Sequence, residues 1–151
     1  AASDVYKRQA SNTSGAMEIM DAMESEGSDS DMARSERELS RKMIKRIVEG
    51  DSILEGMIIF AEGKACAFTI GDVKGDTLFI HIEKALREYN GSYEIINQQF
   101  AKAMCDKYPE IKYVNREDDA GDIGLRMAKE SYHPLEILRK YNVTFFGNTK
   151  E

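Results

Sequence analysis

Tryptophan is absent from this 151-residue chain, and proline, cysteine and histidine number only two each. Cys66 and Cys105 are too few and too far apart for a disulfide framework or a four-ligand zinc site, so a reducing, cytoplasmic setting is expected. Neither His81 nor His133 has a cysteine or a second histidine at ligand spacing, so no metal and no tightly bound cofactor is expected. The longest uninterrupted apolar run, Met57–Ala61, falls far short of the roughly 20 residues that span a bilayer, and no transmembrane segment or signal peptide is expected. Neither Gly-x-x-x-x-Gly-Lys-Ser/Thr nor Gly-x-Gly-x-x-Gly occurs, which excludes the P-loop and dinucleotide fingerprints. An excess of basic charge is missing too. With 21 basic and 27 acidic residues the net charge is -6, which argues against nonspecific polyanion binding while leaving room for a local basic patch.

What is present suffices for one soluble α/β domain with a core: 42% hydrophobic and 32% charged residues lie near the globular average. Composition changes near residue 35. Residues 1–34 are rich in Ser, Asp and Glu and hold 7 acidic against 3 basic residues, so they are expected to form a disordered, dispensable leader. Ala1–Gln9 resembles translated sequencing-adapter read-through. Those nine residues are therefore expected to be non-native and the chain to be the C-terminal part of a longer, two-domain protein, with residues 35–151 as the folded domain.

Ser35-x-x-Glu38 forms a capping box ahead of Leu39, Met43, Ile44, Ile47 and Val48 on one helical face, with Gly50 as the stop, predicting a helix over 36–49. Ile53–Phe60, Lys64–Ile70 and Thr77–Lys84 read as an antiparallel meander, the last two separated by a turn segment from Gly71 to Asp76. Asn90-Gly91-Ser92 opens a helix with Tyr93, Ile96, Phe100, Ala103 and Met104 on its apolar face, ending near Tyr108-Pro109. A short strand over 111–115, a helix from Ile123 to Ser131 with Asp122 as its N-cap, and a final strand over about 136–146 complete the reading.

Candidate chemistry gathers at element ends. His81 and Glu83, two residues apart on a strand, are expected on one face about 7 Å apart, where a substrate meets both. Gly91 at a helix start, with Lys84 and Arg87 nearby, suits an anion as well as it suits an ordinary glycine turn. Asn115, Arg116 and Glu117 follow a strand end, where loop residues carry binding more often than packing. Tyr132, beside Ser131 and His133, is a candidate proton donor.

Several motifs in order carry a family resemblance: Gly63–Gly71, Ile80-His81-Ile82-Glu83-Lys84-Ala85, Gly91-Ser92-Tyr93 with Ile96–Ala101, Tyr113–Asp119, and Gly124–Pro134. From about residue 52 to 146 the chain resembles the phosphatidylglycerol lysyltransferase C-terminal domain family. The resemblance implies a GNAT-like acyltransferase fold, a mixed and mostly antiparallel sheet flanked by helices, here lacking its first strand and helix. Soluble members resemble two such domains in tandem, so an N-terminal domain of the parent protein is an expected partner. The implied activity moves an aminoacyl group from aminoacyl-tRNA to a lipid or other acceptor, making tRNA and a peripheral lipid the implied partners. Arg87–Tyr93 resembles a degenerate acetyltransferase pyrophosphate loop, which keeps acyl-CoA as the alternative donor. A noncatalytic interaction module on the same fold is the other alternative. On this fold His81, Glu83 and Tyr132 are expected to be catalytic. Lys84, Arg87, Gly91, Asn115, Arg116, Glu117 and Lys129 are expected to bind donor or acceptor, Lys129 and Tyr132 approaching from the last helix.

Overall fold

A computed structural model of the chain describes residues 4–7, 13–26, 30–119, 121–141 and 143–144. They fall into two compact units, Ala1–Glu117 and Asp118–Glu151. The first unit runs β1 (Asp4–Lys7), α1 (Thr13–Glu26), α2 (Asp31–Val48), β2 (Glu55–Ala61), β3 (Lys64–Lys74), β4 (Thr77–Ala85), α3 (Ser92–Lys107) and β5 (Tyr113–Asn115). The sheet order is β1-β2-β3-β4-β5; the first four strands are antiparallel, and β5 joins β4 in parallel.

Helices cover both sheet faces. On one, Ala16, Ile19 and Met20 of α1 and Met43 and Ile44 of α2 pack on Ile58, Phe68, Ile70 and Ile82. On the other, Ile96, Phe100, Ala103 and Met104 of α3 pack on Met57, Ile59, Ala67, Leu78 and Ile80. The meander and the α3 face were legible in the strand alternation and the three-and-four spacing, apart from Tyr93, which is 38% exposed.

The leader expectation is corrected for residues 13–26. They form α1, and both a strand and a helix precede α2, so the first strand and helix are present. The segment was hard to read because it packs through smallness. A Cβ on Gly15 would lie 2.7 Å from Ile58 Cδ1 and 2.9 Å from the Ala65 Cβ, so α1 approaches the sheet where no side chain fits. Ion pairs from Arg41 to Asp21 at 2.7 Å and Glu24 at 2.8 Å join α1 to α2.

α2 starts one turn earlier than the capping box predicts. The Ser30 hydroxyl accepts from the Ala33 N–H at 3.2 Å, and Asp31 sits in the first turn, where the helix dipole favours an anion. The helix stops as expected at Gly50: Gly50 N–H donates to the Ile47 carbonyl and Asp51 N–H to that of Arg46. Leu39 and Val48, expected on the packed face, are exposed.

β3 continues through the predicted turn segment to Lys74, because Asp72, Val73 and Lys74 pair with Phe79, Leu78 and Thr77. Gly71 makes this possible at an irregularity in the ladder. A Cβ there would stand 2.3 Å from the Phe79 carbonyl oxygen.

In the second unit Asp122 caps α4 (Ile123–Glu130), its carboxylate accepting from the Leu125 N–H at 2.8 Å. The predicted strand over 136–146 is absent from residues 136–141 and 143–144, and the rest of it lies outside the described residues. Alternation of Ile137, Arg139, Tyr141 and Val143 supplies the period of a strand, but a strand also needs a neighbour to pair with.

Candidate active site

The site begins where two strands part. β4 and β5 pair only over Thr77–Phe79 and Tyr113–Asn115, after which β4 runs on to Ala85 without β5 beside it. The wedge is bridged by the residues that follow β5. Arg116 pairs with Glu83 at 2.5 Å, and Glu117 meets His81 Nδ1 at 2.7 Å.

A β-bulge places these partners. Ile70 pairs with Ile82 and Gly71 with Ile80, leaving His81 as the extra residue of β4. Phase is reversed across it: Leu78 and Ile80 pack toward α3, Ile82 toward α1 and α2. Glu83 consequently turns to α3, where Asn97 Nδ2 donates to its second oxygen at 3.0 Å. His81 turns the other way, its Nε2 at 3.3 Å from Asp72 of β3. The expectation that His81 and Glu83 share one strand face is thus corrected, since strict alternation does not survive an inserted residue.

The electrostatics follow from these contacts. Glu83, with 8% of its side chain exposed, has one oxygen on a guanidinium and the other on an amide, so its charge is compensated where water is scarce. His81 lies between two carboxylates and donates to both at once only as an imidazolium. Asn115 shapes the loop: its Oδ1 accepts from the Glu117 N–H at 2.8 Å, and Glu117 adopts φ 56°, holding Arg116 and Glu117 apart on the two sides of the wedge.

Other expected residues lie elsewhere. Lys84 pairs with Glu36 of α2, on the face opposite Glu83. Arg87 is exposed in the β4–α3 connection, and Gly91, at φ 81°, is the N-cap of α3 with no side-chain capping bond. Lys129 and Tyr132 belong to the second unit, where the Lys129 ammonium donates to the Asp118 carbonyl at 2.6 Å and Tyr132 is exposed. Cys66 is buried, its thiol donating to the Ile59 carbonyl at 3.4 Å, and burial pushes its pKa up, the wrong direction for a nucleophilic thiolate. Among the described residues no group of three His, Cys, Asp or Glu side chains is placed to hold a metal ion, and no helix is long and apolar enough to cross a membrane.

Asp72 and Asn97 are the members that sequence reasoning missed. Asp72 lay inside the segment read as a turn. Asn97 stood next to core residue Ile96, and its polarity in the first turns of a helix was the available signal.

A sheet clothed by helices on both faces, opening between β4 and β5 beside a helix N-terminus, defines the GNAT acyltransferase fold. The chain belongs to the phosphatidylglycerol lysyltransferase C-terminal family, whose profile matches residues 2–144. A solved structure of a conserved protein of unknown function from Bacteroides thetaiotaomicron VPI-5482 is 28% identical with a TM-score of 0.75, over 89% of this chain and 45% of that one. This chain therefore spans less than half the length of that relative. A protein described as a possible acetyltransferase from Clostridium difficile 630 is 16% identical with a TM-score of 0.65, covering 99% and 100% of the two chains. The ribosomal-protein-alanine N-acetyltransferase of Brucella melitensis biovar Abortus 2308 is 8% identical with a TM-score of 0.68, covering 95% and 100%. These last two share the fold. No curated protein sequence matches the chain at a significant level.

Proposed function

We propose that this chain is the transfer module of an aminoacyltransferase, moving an aminoacyl group from aminoacyl-tRNA to a hydroxyl of a lipid or another acceptor. The observation that carries the reading is the wedge between β4 and β5, edged by a guanidinium on one side and an imidazole on the other, in a chain of the lysyltransferase family. In the transfer the acceptor oxygen bonds to the ester carbonyl carbon, and the bond from that carbon to the tRNA ribose oxygen breaks. The acceptor's proton passes to the departing ribose oxygen. Arg116, oriented by Glu83, offers positive charge to a phosphate or a developing oxyanion, and His81 is the group suited to holding the proton in passage. Glu83, occupied by Arg116 and Asn97, serves as an orienting anion and not as the base.

Acyl-CoA is the second donor reading, favoured by the uncapped start of α3 at Gly91 beside exposed Arg87. A retention assay with lysyl-tRNA, uncharged tRNA and acetyl-CoA separates the readings. Selective retention of the charged tRNA is expected. Retention of acetyl-CoA alone replaces the donor, and silence on all three assigns the fold to a noncatalytic interaction module.

A further inference from the structure

Two side-chain bridges span the wedge between β4 and β5, and they differ in what opening them costs. In the first, Arg116 meets Glu83, which is 8% exposed and holds Asn97 on its second oxygen. In the second, His81 meets Glu117, whose side chain is 40% exposed on a loop residue at φ 56°. Opening the first strands a buried carboxylate, whereas opening the second hands Glu117 to water, so the second is the bridge a ligand can displace. We propose that Glu117 gives up His81 to take the α-ammonium of an aminoacyl donor, and so selects donors that carry one, while Asp72 of β3 keeps the imidazole in position. This rests on the aminoacyl-transfer reading above.

His81 is the reason the bridge has to open. Its Nε2 stands 3.3 Å from Asp72 and its Nδ1 2.7 Å from Glu117, so each ring nitrogen faces a carboxylate. A carboxylate accepts hydrogen bonds and donates none, and while both contacts stand neither nitrogen presents a lone pair to a substrate proton. Asp72 pairs with Phe79 in the β3–β4 ladder and is fixed by the sheet, whereas Glu117 is carried by a loop. Release of Glu117 leaves Nε2–H donating to Asp72 and the Nδ1 lone pair facing the wedge. In that tautomer Nδ1 takes the acceptor's proton and passes it to the departing ribose oxygen. The donor's own charge supplies the release. In an aminoacyl ester the ammonium nitrogen is bonded to the carbon next to the reacting carbonyl, so a carbonyl within proton-transfer reach of His81 brings the ammonium within reach of the carboxylate beside it. At Glu117 the ammonium replaces the imidazole as hydrogen-bond donor and keeps the bond charge-assisted. An acetyl thioester offers no donor in exchange for the one it displaces.

Paired retention of lysyl-tRNA and Nα-acetyl-lysyl-tRNA by the 151-residue chain tests this, because the acetylated donor lacks only the α-ammonium. The intact chain is expected to retain lysyl-tRNA about tenfold more tightly, and Glu117→Gln should bring the two affinities together. Loss of an acidic side chain alters the attraction for both tRNAs alike, so their ratio is insensitive to net charge. The role of Asp72 is read from the imidazoles themselves, of which the chain has only two. Nitrogen NMR of Glu117→Gln, recorded where the rings are neutral, should show His81 as the Nε2–H tautomer, and adding Asp72→Asn should mix the two tautomers. Equal retention of the two charged tRNAs by the intact chain overturns the selection by Glu117, as does a preference that survives Glu117→Gln. A His81 tautomer indifferent to Asp72→Asn overturns the positioning role. Failure to retain either charged tRNA strikes the transfer reading itself, and this inference with it.

Discussion

Glu55 shows what a single buried charge commits a fold to. Its side chain, 6% exposed at the start of β2, takes Lys107 at 2.5 Å and the Tyr108 hydroxyl at 2.7 Å. Glu55→Ala leaves both donors without their acceptor and should cost about 2–4 kcal/mol in denaturant unfolding. The hydrogen bond that the Lys107 ammonium donates to Glu55 raises the Lys107 pKa above its ordinary 10.5. That contribution is complete below the ordinary lysine value and is lost as pH rises through the raised one, so an alkaline decline in melting temperature should flatten in Glu55→Gln. At the site, Arg116→Ala strands the Glu83 carboxylate and should lower both melting temperature and retention of charged tRNA. Arg116→Lys keeps the charge but loses the planar fork, and should reduce retention about tenfold while the melting temperature holds. Glu83 and Arg116 were each legible as polar residues at element ends. Their pairing was not, because it spans 33 positions and depends on which way a bulge turns Glu83.

Elements were legible where hydrophobic period and chain length agreed. α3 and the β2–β3–β4 meander combine clear spacing with glycine punctuation, and they occur nearly as expected. α1 escaped because Ser, Asp and Glu dominate its surroundings, and the residues that seat it are the small Gly15 and Ala16 with Ile19 and Met20. Its contribution is measurable. Ile19→Ala should destabilise the fold by about 2–5 kcal/mol, since Ile19 has no exposed surface, and removal of residues 13–26 should be more damaging still. Thermal melts of the two variants check this, and a deletion that melts like the intact chain would return α1 to the status of a leader. The tail erred in the opposite sense: its alternation is plain, but a strand is a property of a pair, and one sequence shows only one member.

For the molecule as a whole, family membership rests on residues 2–144, nearly the entire length, while the 28% identical relative extends over more than twice the matched span. The GNAT acyltransferase fold and the family membership thus belong to this chain. The inserted residue at position 81 gives the site a particular kind of tolerance. His81→Ala removes an imidazole and should spare the melting temperature while reducing transfer. Deleting the same residue should cost the imidazole as well and yet keep the ladder, because Ile80 and Ile82 already face opposite sides of the sheet and would become ordinary neighbours in β4. Ile82 would keep its place in the α1–α2 layer, Glu83 its Asn97 and Lys84 its Glu36. Position 81 is a loop one residue long, spliced into a strand, and a loop is the part of a fold from which a residue can be taken without turning its neighbours over.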